Sequence, residues 1–183
     1  MWRSRGKIDD QDRYRAVPDK ERARERTMNR AVKLLAAKSR SVAELRERLL
    51  EKLWTDEAIV DGVIERLKEY KYLDDEQYAG DLAISRLRQR PQGKRRLQQT
   101  LSQKKLSKDV MAKAIDSAFE KMPEEELILA AIEKRLRLKG RPETREDLKK
   151  FYDHLLRRGF SYSLIWEKMS AVGKAEPDDD LTA

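Results

Sequence analysis

The sequence predicts an all-α fold of three tandem three-helix repeats, nine helices in an elongated, curved array. Three observations carry that prediction. The first is a recurrence: "ELRERLLEKLWTDEAIVDGV" from Glu44, "RLQQTLSQKKLSKDVMAKAI" from Arg96 and "KFYDHLLRRGFSYSLIWEKM" from Lys150 share one pattern. The second is the helical period inside that pattern. The third is composition, in which charged residues (42%) exceed hydrophobic ones (39%) with few Gly and Pro. That balance suits helices and leaves too little apolar material for one large core.

Each position of the recurrence has a physical reason. Leu45, Leu97 and Phe151 stand at its second place, and Leu49, Leu101 and Leu155 four residues later. Apolar residues four apart lie on one helix face. A basic residue follows (Lys52, Lys104, Arg158), then an apolar one (Trp54, Leu106, Phe160), then a hydroxyl (Thr55, Ser107, Ser161). The hydroxyl suits an N-cap, and the apolar residue before it suits a staple onto the next helix. That helix continues inward through Ile59 and Val63, Met111 and Ile115, Ile165 and Met169. By the same pattern, Trp54 and Trp166 are expected to face neighbouring helices. Each unit is preceded by a further helical run: "TMNRAVKLLAAK", "EQYAGDLAISRLR" and "EEELILAAIEKRLRL".

The boundaries have their own punctuation. Ser41 with Glu44 forms a capping box, and Asp74 with Gln77 a close variant. Pro123 and the three acids after it suit a helix start, while Gly140 and Pro142 break the chain. The expected organisation is a disordered charged segment at 1–25, repeats at 26–74, 75–122 and 123–173, and a flexible acidic tail at 174–183. Units of this size bury little surface alone and are stabilised by stacking.

Charge is distributed unevenly. The stretch Ile84 to Lys108 holds nine of the 42 basic residues and none of the 34 acidic ones, so it exceeds the formal net charge of +8. Charge runs usually mark a solvated face. Here the absence of acids and the interleaved Gln98, Gln99 and Gln103 point instead to an anionic partner. The candidate binding residues are Arg86, Arg88, Arg90, Lys94, Arg95, Arg96, Lys104, Lys105 and Lys108. A second acid-free run supplies secondary candidates: Lys134, Arg135, Arg137, Lys139 and Arg141. Arg157 and Arg158 join them, although at a helix end before Gly159 they also read as architecture.

The layout, with "YLDDEQYA" at 72–79, "QGKRRLQQTL" at 92–101 and "LLRRGFS" at 155–161, resembles the RecX regulatory protein family. The resemblance spans about residues 26–172. It implies an all-helical modulator of the RecA recombinase that lies in the groove of the RecA–DNA filament and suppresses strand exchange, ATP hydrolysis and co-protease activity. Family members often carry Gly where this chain has Leu53, Lys71 and Lys105, and Gly159 alone is retained. A residue with a Cβ pays roughly 1 kcal/mol in the left-handed conformation such turns use.

Other chemistry is poorly supplied. With no cysteine and one histidine, disulfides, Cys-ligated zinc and His-rich metal sites are excluded. There is no P-loop or dinucleotide motif, so neither cofactor nor metal is expected. Asp74 and Asp75 form the one carboxylate pair that looks deliberate, and at a helix start they read as a cap and a dipole partner. His154 has no nucleophile to join and reads as packing or surface. The chain reads as a non-enzyme. Without an apolar span or leader it is expected to be a cytoplasmic monomer, with the RecA filament and, more weakly, single- or double-stranded DNA as partners. The alternative is a plain DNA-binding protein that inserts the last helix of each unit into the major groove. The starts of those helices, "DEAIV", "KDVMA" and "YSLIW", lack base-reading side chains.

Overall fold

A computed structural model describes residues 19–174. Among them are nine helices and no strand: α1 (Lys20–Ala37), α2 (Val42–Leu50), α3 (Glu57–Glu69), α4 (Asp75–Gln89), α5 (Lys94–Ser102), α6 (Lys108–Lys121), α7 (Glu124–Lys139), α8 (Arg145–Arg157) and α9 (Tyr162–Lys174). The all-α, three-repeat reading is right. One boundary differs: α1 starts at Lys20, inside the segment expected to be disordered, because Asp19 accepts the Arg22 amide as an N-cap. The rest of that segment and most of the acidic tail lie outside the described residues. No helix among the described residues is long and apolar enough to cross a membrane.

The chain forms two compact units. The first comprises the described part of Met1–Ala79 with Gln103–Val110, the second Gly80–Ser102 with the described part of Met111–Ala183. In the first unit, Ala31, Leu45, Leu49, Val60, Val63, Ile64, Leu67 and Leu73 make the core. These are the inward positions of the period, and α1, α2 and α3 pack on one another through them.

The N-terminus of α2 is satisfied in detail. Ser41 and Glu44 form the expected reciprocal capping box. Ser41 Oγ also donates to the Lys104 carbonyl at 2.6 Å, and the Val42 amide donates to Asp75 Oδ1 at 2.9 Å. Asp74 caps its own helix by accepting the Glu76 and Gln77 amides. Both carboxylates of the pair therefore serve helix ends. Glu44 further receives Lys104 Nζ at 2.8 Å and the Tyr78 hydroxyl at 3.5 Å. Burial works against its charge, but the Lys104 ammonium and the Ser41 amide outweigh it and hold the carboxyl below its usual range.

Two expectations fail by small steps. The cap of α3 is Asp56, which accepts the Ile59 amide, not Thr55. Thr55 is diverted to Thr27: Thr27 Oγ1 lies 2.7 Å from the Ala23 carbonyl and 2.9 Å from Thr55 Oγ1. Having one proton, Thr27 donates it to that carbonyl and accepts from Thr55. Ser107 and Ser161 do cap as expected, accepting the Val110 and Leu164 amides. Trp166 is 59% exposed, because Ile165 and Met169 fill the inward stripe of α9 and Trp166 falls about 100° round from Ile165. Trp54 is half-buried, with the Arg26 guanidinium 4.6 Å above its ring.

The turns that lack glycine divide into two kinds. Lys71 and Lys105 both take the left-handed conformation, each with φ 56°, whereas Leu53 does not. At Lys71 the motif is complete, with the Tyr72 amide on the Leu67 carbonyl and the Lys71 amide on the Lys68 carbonyl. Gly159 (φ 86°) closes α8 through the same two bonds, to Leu155 and Leu156. Lys71→Gly should therefore raise stability by about 0.5 kcal/mol, since relief of strain exceeds the added freedom of the unfolded chain. Urea denaturation should show a higher midpoint with an unchanged slope.

In the second unit, Leu87, Leu97, Leu101, Ile128, Leu155 and Ile165 are fully buried. Helices α7, α8 and α9 pack on one another. The segment before α5 is pinned to the end of α8 through the backbone: the Gly93 amide donates to the Arg158 carbonyl at 3.0 Å. A Cβ on Gly93 would overlap the Gly159 carbonyl, and one on Gly159 would lie 2.5 Å from the Arg96 nitrogen. Only glycine permits so close an approach. The Lys94 amide, first in α5, donates to Glu124 Oε1 at 3.1 Å, so an acid of α7 caps α5. The motifs "QGKRR" and "RRGF", distant in sequence, thus meet.

Candidate functional site

The acid-free stretch is divided between the two units. Residues up to Ser102 belong to the second unit, and Gln103 to Lys108 to the first. Within the first, Lys104 is tied to Glu44, and that bond raises its pKa against the effect of burial. Lys105 is bonded to Glu47. These two cations are paired with carboxylates of α2. Lys108 opens α6 and is exposed. Lys94 stands 4.0 Å from Asp116 and over the Phe119 ring. Arg88 and Arg95 are exposed and do not line the pocket described next.

What the second unit assembles is a basic pocket of about 700 Å³. Arg86 and Arg90 reach it from the end of α4, and Arg96 from α5. Lys134 comes from α7, and Arg157 and Arg158 from the end of α8. Three primary candidates and three secondary ones therefore share one concavity, and no carboxylate lines it. Arg135 does not join them. Its guanidinium lies over the Phe151 ring at 5.2 Å. Arg137 and Lys139 occupy the last turn of α7, where cations oppose the dipole, and Arg141 follows the Gly140 cap.

The local chain explains this convergence. Arg86 and Arg90 are four apart and so project from one face of α4's last turns, while Leu87 turns to the core. The Gly93–Gly159 contact brings the start of α5 against the end of α8. Arg158 Nη1 donates to the Pro91 carbonyl at 3.1 Å, which fixes it in the wall. Burial, and then the Arg90 charge, push the Arg158 pKa down from its ordinary value. So crowded a set of cations favours an anion among them.

Two members went unrecognised in sequence. His154 lines the pocket from α8, where burial and the charges of Arg135, Arg158, Arg157 and Arg90 lower its pKa. Gln92 also lines the pocket, is only 6% exposed, and its Nε2 has no hydrogen-bond partner.

The family models for RecX match in order along the chain: the first three-helix domain over residues 28–67, the second over 74–115 and the third over 123–169. Among curated proteins, Regulatory protein RecX of Chlorobium limicola is 34% identical over 81% of this chain and 90% of its own length. Regulatory protein RecX of Mycolicibacterium smegmatis is 31% identical over 84% of this chain and 86% of its own. The crystal structure of RecX from Lactobacillus salivarius superposes with a TM-score of 0.73 over 84% of this chain and 98% of that one, at 20% identity, and so agrees in fold. With three family domains in order and relatives of this extent, the chain belongs to the RecX family of regulatory proteins.

Proposed function

We propose that this protein is a non-enzymatic modulator of the RecA recombinase that binds the RecA–DNA filament, inhibits its recombinase, ATPase and co-protease activities, and so regulates DNA repair. It acts as a cytoplasmic monomer without a cofactor. The observation that carries the reading is the gathering of Arg86, Arg90, Arg96, Lys134, Arg157 and Arg158 around one concavity free of carboxylates. A nucleoprotein filament offers phosphates and acidic protein side chains, and a concave cationic surface suits either. The assignment of Asp74 and Asp75 to helix caps supports a role without catalysis.

The test compares two quantities at one salt concentration: RecA ATP hydrolysis on single-stranded DNA with substoichiometric protein, and affinity for bare DNA. Suppression is expected at concentrations where bare DNA is scarcely bound. Sequence-preferring binding to bare duplex with no effect on RecA would overturn the reading in favour of a plain DNA-binding protein. With about five cations on phosphates, bare-DNA affinity should fall roughly five-hundredfold between about 50 and 200 mM salt.

A further inference from the structure

The pocket has a floor as well as a rim. Most of its cations are exposed side chains, which alone would make only a diffuse field. Gln92 is different. It is 94% out of solvent contact by its 6% exposure, it lines the cavity, and its Nε2 donor is unanswered by any protein acceptor. A buried amide donor without a partner costs about 1–3 kcal/mol, a cost that an acceptor in the cavity relieves once the amide turns toward it. Arg158, half-buried and anchored to the Pro91 carbonyl, stands in the same wall. Gln89 and Thr100 add neutral hydrogen-bonding groups.

The lining also says what the ligand lacks. It includes no Phe, Tyr or Trp, and its one ring is that of His154, so the broad aromatic platforms on which successive bases stack are missing from it. It includes no carboxylate to receive amino groups of a base or a peptide. What remains is a set of donors and positive charges around a buried donor, suited to tetrahedral oxyanions that present several acceptor oxygens each. A volume of about 700 Å³ exceeds what one phosphate needs.

We propose that this pocket is a binding site for consecutive phosphate groups, with Gln92 and Arg158 holding one phosphate at the floor, and Arg86, Arg90, Arg96 and Arg157 holding its neighbours at the rim. The inference rests on reading the pocket as the protein's docking surface and narrows what that surface takes: a phosphate chain read without its bases. Such a chain occurs as the backbone of a nucleic-acid strand or as inorganic polyphosphate.

The test uses the full chain and calorimetry at low salt, with tripolyphosphate as the probe. Saturable binding is expected, weakened about tenfold by Gln92→Glu and by a comparable factor in Arg90→Ala, whose exposed side chain can be removed without disturbing the core. Lys33→Ala, exposed on α1 and outside the pocket, should leave it unchanged. An abasic deoxyribose-phosphate strand should bind within about threefold of the same strand carrying thymines, since no base is stacked. Whichever of that abasic strand and a polyphosphate of equal charge binds more tightly identifies the natural source, and either supports the site. The inference is overturned by absence of saturable binding, by binding indifferent to both pocket variants, or by strong dependence on bases. Running the RecA assay on the same proteins separates the two readings. Tripolyphosphate binding without suppression of RecA removes the filament role alone, and suppression without such binding removes the phosphate site alone.

Discussion

Gly93→Ala is expected to destabilise the second unit by about 3 kcal/mol, at the upper end of the cost of overfilling a packed site. The added methyl would overlap the Gly159 carbonyl oxygen and lie 2.5 Å from its carbon and 2.6 Å from Glu124 Oε1. A flexible side chain could swing aside, but the carbonyl belongs to a closed helix end whose Gly159 and Phe160 amides are already bonded within α8. Glu124 is restrained too, since it accepts the Lys94 amide. Gly159→Ala should cost a similar amount by two routes, the approach to Arg96 and the left-handed backbone at φ 86°. Urea denaturation followed by circular dichroism checks both. Losses under about 1 kcal/mol in both variants would mean that the two motifs are not held together by backbone contact.

The second large effect is functional. Arg86→Glu, Arg90→Glu and Arg157→Glu together should raise the concentration needed for half-suppression of RecA by roughly a thousandfold, if each lost charge-assisted contact contributes about 1.5 kcal/mol. All three side chains are exposed, so helicity and urea midpoint should stay near those of the parent. Lys104→Glu with Lys105→Glu is the informative contrast. It places like charges against Glu44 and Glu47, so it should lower stability. Unchanged suppression in the triple variant would clear the pocket of a role in regulation.

Features set by local rules were legible in the sequence. The inward stripe of each repeat, the Ser41–Glu44 capping box and the stop at Gly140 each depend on residues within a turn of one another, and each is found in place. Thr55 was misread because a competing partner, Thr27, lies 28 residues away. The same limit explains the cationic stretch. Nothing near Lys104 and Lys105 in sequence indicates that Glu44 and Glu47, 60 and 58 residues earlier, will hold them. The pocket was half-visible. Its cations stood out by number, but they come from three separate stretches, two of which the Gly93–Gly159 approach joins, and Gln92 and His154 acquire meaning only from their surroundings. Charge is counted in a sequence, whereas desolvation is a property of the fold.

The cap that Asp75 supplies to α2, by accepting the Val42 amide, bears on how the chain could be dissected. A fragment ending with the first repeat at residue 74 would expose the Val42 amide that Asp75 accepts, and would strip Glu44 of Tyr78 and Lys104. Repeat units that look interchangeable on paper are therefore poor modules for shuffling or for expression in isolation. The smallest autonomous piece has to carry the opening of the next triplet and the turn beyond it.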